Sequence, residues 1–304
     1  MTDTMRTRHI VIKVILNDKV YPGSNDSNIK IIRANSDNES LTVGVMVNKV
    51  AGFQQSEAIA TINGMLINDI NALIKVNSYL TDVQKPVSKI EIFAGYEVDS
   101  DGMPPLIYKG DIYTSTVDFN NPNRSRPVLI KSILGWEVSG MLANALVIRD
   151  NTSLKTLFET LAKNLPEYST VITGADNQQV SNVLYQGSAL QQLQSACADY
   201  GFQFKLDDTK ILISPIGQPY VNQLLTISKD DNLLGYPIPS NLSCAIRVRF
   251  NPAIQFGQQI NLITDMEGYS GIWYVNGLSH NLTNRGREFS STLQLNRSSI
   301  TTGA

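Results

Sequence analysis

The sequence predicts a mainly β chain with an α+β insert, in which two related antiparallel β-barrels flank a small helix-hairpin module. Three observations carry that prediction. Near the C-terminus, Ala245 to Phe250, Gln258 to Ile263 and Glu288 to Leu295 alternate apolar and polar residues, the pattern of strands buried on one face. The N-terminal part carries a comparable set of β-branched runs. Between the two sets the apolar spacing changes from the period of a strand to that of a helix.

In chain order, Arg6 to Leu16 and Asn28 to Arg33 read as strands separated by the turn residues Pro22-Gly23-Ser24-Asn25. The opening MTDTMRTRHIVIKVIL is basic and then apolar like a signal peptide. Its apolar part is short, β-branched and interrupted by Lys13, which makes it a first strand instead. Leu41, Val43, Val45 and Val47 share one face of a third strand, and Glu57 to Asn63 gives a fourth. Leu66, Ile67, Ile70, Leu73 and Ile74 then recur at helical spacing, with Asn63 in position to cap. Ser88 to Glu97, Leu106 to Phe119 and Val128 to Leu134 return to strand, joined by Asp99-Ser100-Asp101-Gly102 and by the polar stretch Asn120 to Arg124.

The insert begins with Leu154, Leu157, Phe158, Leu161 and Leu165 on one helix face, ended by Pro166. Ser188 and Gln191 form a capping box for a second helix with the face Leu190, Leu193, Cys197 and Tyr200 and its stop at Gly201. Phe202 to Leu206 and Lys210 to Ser214 make a hairpin across Asp207-Asp208-Thr209. In the last segment Gly271 and Gly277 bracket the aromatic run Trp273-Tyr274-Val275, and Gly257 and Gly268 suit turns with positive φ. These boundaries divide the chain into residues 1–140, 141–234 and 235–304.

An internal echo relates the outer two segments. Each has an acidic, Gly-bearing turn (Asp99 to Gly102; Asp265 to Gly268) leading into an aromatic strand (Ile107-Tyr108; Trp273-Tyr274). Each then meets a glycine (Gly110; Gly277) and a loop with two arginines one residue apart (Arg124 and Arg126; Arg285 and Arg287).

Composition bounds the function. The 304 residues are 42% hydrophobic but only 17% charged, against roughly 25% for an average domain. Asn, Gln, Ser and Thr carry the polar surface, which suits either cover by partners or an ordinary neutral surface. The formal charge of −2 makes no electrostatic case for nucleic acid. No apolar run approaches the ~20 residues of a membrane span. Cys197 and Cys244 read as two buried thiols, with a disulfide as the alternative.

Catalytic chemistry finds little to use. His9 and His280 are the only histidines, and no nucleophile-elbow or cysteine–histidine signature accompanies them. Asp207-Asp208 and Asp230-Asp231 are neighbours in turns, where adjacent carboxylates rarely converge on one substrate. Asp99-x-Asp101-Gly102 begins like a calcium loop, but its glycine comes early and the closing acid is missing. No phosphate loop or zinc spacing occurs, so no cofactor, no metal and no catalytic set are expected. Arg124, Arg126, Arg247, Arg249, Arg285 and Arg287 are either solvated or candidates for pairing with acidic residues across a subunit contact.

The ordered motifs carry a resemblance. Gly235-Tyr236-Pro237-Ile238-Pro239-Ser240, then Asn251-Pro252 followed by Gly257, then Gly271-x-Trp273-Tyr274-Val275 and His280 leading to Asn284-Arg285-Gly286-Arg287 resemble the C-terminal barrel of phage tail baseplate hub proteins. That family includes late control protein D and the hub-like part of type VI secretion spikes. Ala58-Ile59-Ala60-x-Ile62-Asn63, Ala94-Gly95-Tyr96 and Tyr108-x-Gly110-x-Ile112 are similar, in that order, to the first barrel of the same proteins. The resemblance implies two tail-tube-like barrels around a small α/β insert, in a non-enzymatic protein of the virion made in the host cytoplasm. It implies a homotrimeric ring that adapts a sixfold tail tube to a threefold spike, with tube, spike and other baseplate proteins as partners. Two rivals remain at this stage: a tail-associated peptidoglycan hydrolase, and a spike fusion, against which the chain stops at Ala304 just after its last strand. Contractile and non-contractile tails stay undistinguished.

Overall fold

The structure, a computed structural model, describes residues 7–16, 29–37, 41–52, 54–74, 88–119, 126–240 and 243–297. The N-terminal strands are β1 (His9–Ile15), β2 (Ile29–Asn35), β3 (Thr42–Val50) and β4 (Glu57–Asn63), followed by helix α1 (Ile67–Ile74). β5 (Lys89–Gly95), β6 (Leu106–Val117) and β7 (Val128–Ile133) complete the first set. Period-two patterning forms them: Val43, Val45 and Val47 of β3 are buried while Met46 between them is exposed. Each such buried valine contributes about 1.5–3 kcal/mol relative to exposure. Asn63 closes β4 and Leu66 C=O accepts the first helical N–H, from Ile70, so Asn63 does not cap α1.

A short helix α2 (Trp136–Ser139), absent from the sequence reading, closes the first segment. Then come β8 (Leu146–Ile148), β9 (Thr152–Ser153) and α3 (Leu154–Ala162), which stops at a Lys163 cap three residues before Pro166. β10 (Ser169–Ile172), β11 (Gln179–Val180) and β12 (Val183–Tyr185) precede α4 (Ala189–Asp199), whose Ser188–Gln191 capping box forms in both directions. β13 (Phe202–Asp207) and β14 (Lys210–Pro215) pair antiparallel as the expected hairpin, with β10 added in parallel. Five short strands, β8 to β12, went unforeseen because runs of two to four residues carry no periodicity.

The last elements are β15 (Val221–Ser228), β16 (Ile238–Ser240), β17 (Ser243–Arg249), β18 (Gln258–Ile263), β19 (Gly271–Thr283) and β20 (Phe289–Asn296). Gly257 and Gly268 take φ of 74° and 80° at the turns, where a side chain would be strained. β15 pairs in parallel with β18, so the end of the stretch expected as insert joins the C-terminal strands.

The sequence expected two separate closed barrels, and the backbone pairing is different. Among the described residues thirteen strands form one sheet in the order β16-β17-β20-β19-β3-β4-β7-β6-β5-β1-β2, with β18 branching from β19 and β15 beyond it. The path is open. The cause is β19, which pairs with β20 along one edge and divides its other edge: Gly271 to Tyr274 meet β18, and Gly277 to Thr283 meet β3. A strand already paired on that side cannot also close its own set.

Packing follows the same division. One large apolar core joins the inward faces of β1 to β7 to α3, α4 and the β13–β14 hairpin. A second, including Ile246, Ile260, Trp273, Val275 and Leu293, lies within the C-terminal set. Tyr108 is fully buried with its hydroxyl accepting from Ser132 Oγ at 3.1 Å, and a Cβ at Gly110 would stand 2.3 Å from that hydroxyl. Only glycine fits there.

Asn284, just past β19, locks the two sets together. Its Oδ1 accepts from Val43 N–H at 2.8 Å, and its Nδ2 donates to Asn35 C=O at 2.9 Å and Leu41 C=O at 3.0 Å. The residue is 1% exposed, so no water replaces these partners. Asn284→Ala is therefore expected to cost about 2–4 kcal/mol, the penalty of leaving several buried groups unpaired, read as a lower urea midpoint. A variant within about 0.5 kcal/mol of the parent would refute this role.

Candidate functional site

The β13–β14 hairpin turns at Asp208, whose φ of 52° lies in the left-handed region that aspartate tolerates better than most residues. That turn brings both Asp207 and Asp208 onto the sheet. Lys49 of β3 lies in phase with Val43, Val45 and Val47 and is as buried as they are, at 4% exposure. Its Nζ sits 2.7 Å from Asp207 Oδ1 and 2.7 Å from Asp208 Oδ2. Lys109 N–H of β6 donates to Asp208 Oδ1 at 3.2 Å, so two strands of the sheet hold the hairpin tip.

Around this cluster lies a cavity of about 180 Å³ lined by Lys49, Asp207, Asp208, Thr209, Gln255 and His280. Burial pulls the Lys49 ammonium down, but the two carboxylates outweigh it and hold its pKa above the ordinary value. Burial pushes the Asp208 carboxyl up, against the pull of Lys49. Lys205 of β13 is also buried; its ammonium donates to Gln54 C=O and stands 5.8 Å from the centre of the Phe256 ring. Desolvation, opposed by Asp207, lowers its pKa to about 8.

His280 of β19 is 2% exposed, edge-on to Phe250 and 2.7 Å through Nδ1 from Ser291 Oγ. Burial first, then Lys49, lowers its pKa to about 3, which leaves the imidazole neutral. A serine beside a histidine has the composition of a hydrolytic pair, but the Ser291 hydroxyl is 0% exposed. The pair acts as a core hydrogen bond. Among the described residues no group of histidine, cysteine or acidic side chains is arranged to hold a metal, and no helix is long and apolar enough to cross a membrane.

A second charge junction lies along β5. Lys89 Nζ reaches Glu167 at 2.7 Å and Glu137 at 3.1 Å, while buried Asp111 accepts from Glu137 N–H at 2.9 Å. Both junctions tie the middle segment to the first strand set through a sheet lysine. Their chemistry is cohesive, since the charges are satisfied by one another.

Arg124 lies outside the described residues, and Arg126 and Arg287 are exposed. Arg247 and Arg249 share the outer face of β17, as expected, and Arg247 pairs with Glu288 at 2.9 Å within the chain. Arg285 is half-buried beside Gly286, whose carbonyl accepts from Arg8 at 2.8 Å. Asp99 to Gly102 is a turn held by Gly102 N–H to Asp99 C=O, and both cysteines are buried free thiols.

Sequence reasoning missed Lys49 and Lys205, and read Asp207 and Asp208 as turn residues without placing their carboxylates. One signal was available: a lysine in phase with three buried valines calls for a buried counter-charge. The identity of that counter-charge was not legible.

A family model described as baseplate hub gp41 matches residues 27–295. Solved structures of similar fold include a tail protein of Neisseria meningitidis MC58, with TM-score 0.59 and 12% identity over 96% of this chain and 97% of that one. The 43 kDa tail protein of prophage MuSo2 from Shewanella oneidensis gives TM-score 0.59 at 8% identity, covering 95% of this chain and 96% of that one. An E. coli component of the type VI secretion system gives TM-score 0.53 at 9% identity, over 86% and 75%. No curated protein matches the sequence.

Two expectations follow from the cluster. Lys49→Met leaves two largely buried carboxylates, their side chains 12% and 18% exposed, facing each other and is expected to lose about 3 kcal/mol in urea unfolding. Adding Asp207→Asn and Asp208→Asn should recover most of that loss; a Lys49→Met protein as stable as the parent would show that the cluster does not hold the hairpin. For His280 the folded pKa lies below the unfolded one, so its contribution is complete above pH ~6.5 and is lost as pH falls toward 3. At pH 5 the loss is about 2 kcal/mol. Thermal melts of His280→Gln should therefore fall less between pH 7.5 and pH 5 than those of the parent, and equal falls would refute the buried neutral histidine.

Proposed function

The chain belongs to the baseplate hub gp41 family, and from that premise we propose that it forms a homotrimeric ring adapting a sixfold tail tube to a threefold spike. One observation carries the reading. A single chain holds two strand sets, β1 to β7, antiparallel throughout, and β15 to β20, antiparallel except for the parallel β15–β18 pair, joined edge to edge through β3 and β19. Three copies in a closed ring then present six strand sets to the tube while keeping a threefold face for the spike.

In this reading residues 1–140 and 235–304, with β15 added to the latter, are the tube-like units, and 141–234 is the insert at the periphery. Rigid orientation of the insert is the role of the two lysine junctions. Arg124, Arg126, Arg249, Arg285 and Arg287 serve at the rim of subunit contacts, where the guanidinium fork pairs with carboxylates, and Arg247 does so together with Glu288. The partners are a second and third copy, the tube protein, a separate spike or tip protein and neighbouring baseplate proteins. The protein works without catalysis and without a cofactor, as a structural part of the tail.

Light scattering of the purified protein at micromolar concentration is expected to give the mass of three chains, rising in a discrete step when the cognate spike protein is added. A monomer that ignores both its own copies and the spike would overturn the proposal.

A further inference from the structure

The meeting of Lys49 with Asp207 and Asp208 permits more than an ion pair. One amine faces two carboxyl groups, 2.7 Å from an oxygen of each, across 159 positions of sequence in the Lys49–Asp208 pair. The Lys49 side chain is 5% exposed, so bulk water does not hydrate the nitrogen. A nitrogen at that distance from a carboxylate oxygen stands roughly 3–3.5 Å from the carboxyl carbon, the separation of a near-attack pair. The two carboxyl groups are not equivalent. Asp208 is engaged through both oxygens, by Lys49 Nζ at Oδ2 and by Lys109 N–H at Oδ1. Asp207, the last residue of β13, meets Lys49 through Oδ1.

We propose that this triad condenses with itself: Lys49 Nζ forms an intramolecular amide with the Asp207 side chain, and Asp208 carries the protons. Burial opposes the charge on Lys49 but the two carboxylates overcome it, so the free amine has to be made in place. Asp208 takes one proton from Nζ, and the nitrogen lone pair bonds to the Asp207 carboxyl carbon. Asp208 then delivers that proton to a carboxyl oxygen of Asp207. It takes a second proton from the nitrogen and passes it to the same oxygen, whose bond to carbon breaks as water leaves. One ammonium and two carboxylates become one amide, one carboxylate and one water. The net charge is unchanged, and no oxidant, reductant or cofactor is consumed.

The surroundings favour the step. Burial, opposed by Lys49, raises the Asp208 carboxyl above the ordinary aspartate value and so closer to neutral pH, where a group both accepts and returns a proton readily. His280 lines the same cavity but does not compete for that proton, because burial and then Lys49 lower its pKa to about 3. Fixing amine and carboxyl against each other is equivalent to a concentration of about 10⁵–10⁸ M. The leaving water, about 30 Å³ in the liquid, enters the adjoining cavity of about 180 Å³, whose walls include Ile107, Ile254 and Leu278. The product is a covalent tie between β3 and the β13–β14 hairpin. It makes permanent a seating that the charges by themselves only select.

The test is the mass of the purified full-length chain, measured unfolded. It is expected to be lower than the sequence requires by one water, and a tryptic digest should contain a branched peptide joining the Lys49 segment to the Asp207 segment. Lys49→Arg, whose guanidinium stays charged, and Asp207→Ala should each restore the full mass. Asp208→Gly keeps a residue suited to the left-handed turn and leaves both bonding partners in place; it should restore the full mass because the proton carrier is gone. A parent chain at full mass would overturn the proposal, and that reading depends on no variant folding. A chain lighter by one water but without the branched peptide, as a cyclised aspartate would give, would overturn it too. So would an Asp208→Gly chain cross-linked as fully as the parent. None of these readings depends on the number of copies in the assembly, so the amide and the ring stand or fall separately.

Discussion

Every peptide group of a buried strand needs a partner on each edge, and β19 has to satisfy that rule with three neighbours. β20 accompanies it along one edge, broken only between Val275 and Gly277. On the other edge the pairing passes from β18 to β3 at the same place. The handover leaves no carbonyl stranded: Asn276 C=O accepts from Ala51 N–H and Val275 C=O from Gly257 N–H, each at 3.0 Å. The irregularity in one ladder and the change of partner in the other are thus one event. Because of it, the C-terminal strands open onto the N-terminal ones, and the two strand sets become one sheet lying over two large apolar cores.

Onto that sheet the middle segment is fixed by charge as well as by apolar packing. The chain is sparing with ionic groups, yet it places Lys49, Asp207 and Asp208 where water is scarce. Buried ion pairs add little net stability compared with apolar residues of similar volume, but they penalise every arrangement in which one partner is left alone. Their effect here is to permit one seating of the hairpin. The outer positions of β15, β18 and β19 show the converse choice, with apolar, amide and hydroxyl side chains and no charge.

The sequence disclosed strands well because inward and outward residues alternate, and helices α3 and α4 because their apolar stripes and Ser188 cap are local features. Pairing partners were hidden. Nothing in residues 42–50 states that they will lie beside residues 277–283, since register depends on the relative positions of two sets that are each plausible alone. That is why two closed barrels were expected and one open sheet is found. Asp207-Asp208 was read as turn chemistry, which is correct for the backbone at Asp208 and silent about where the carboxylates end up. His280 carried no catalytic signature in the sequence, and the structure places it against Phe250 and Ser291 in the interior.

The handover on β19 also sets an order of events in time. Val43 and Asn284, which bond across the junction, are 241 residues apart. At about 5–20 residues per second of synthesis, β3 leaves the ribosome roughly ten seconds to a minute before its outer neighbour exists. During that interval the N-terminal set has an open edge of valine-rich backbone, the kind of template on which nascent chains stick to one another. Completion of the last hundred residues is what withdraws that edge from solvent, so a chain halted early is a hazard to its siblings rather than a smaller version of the same part.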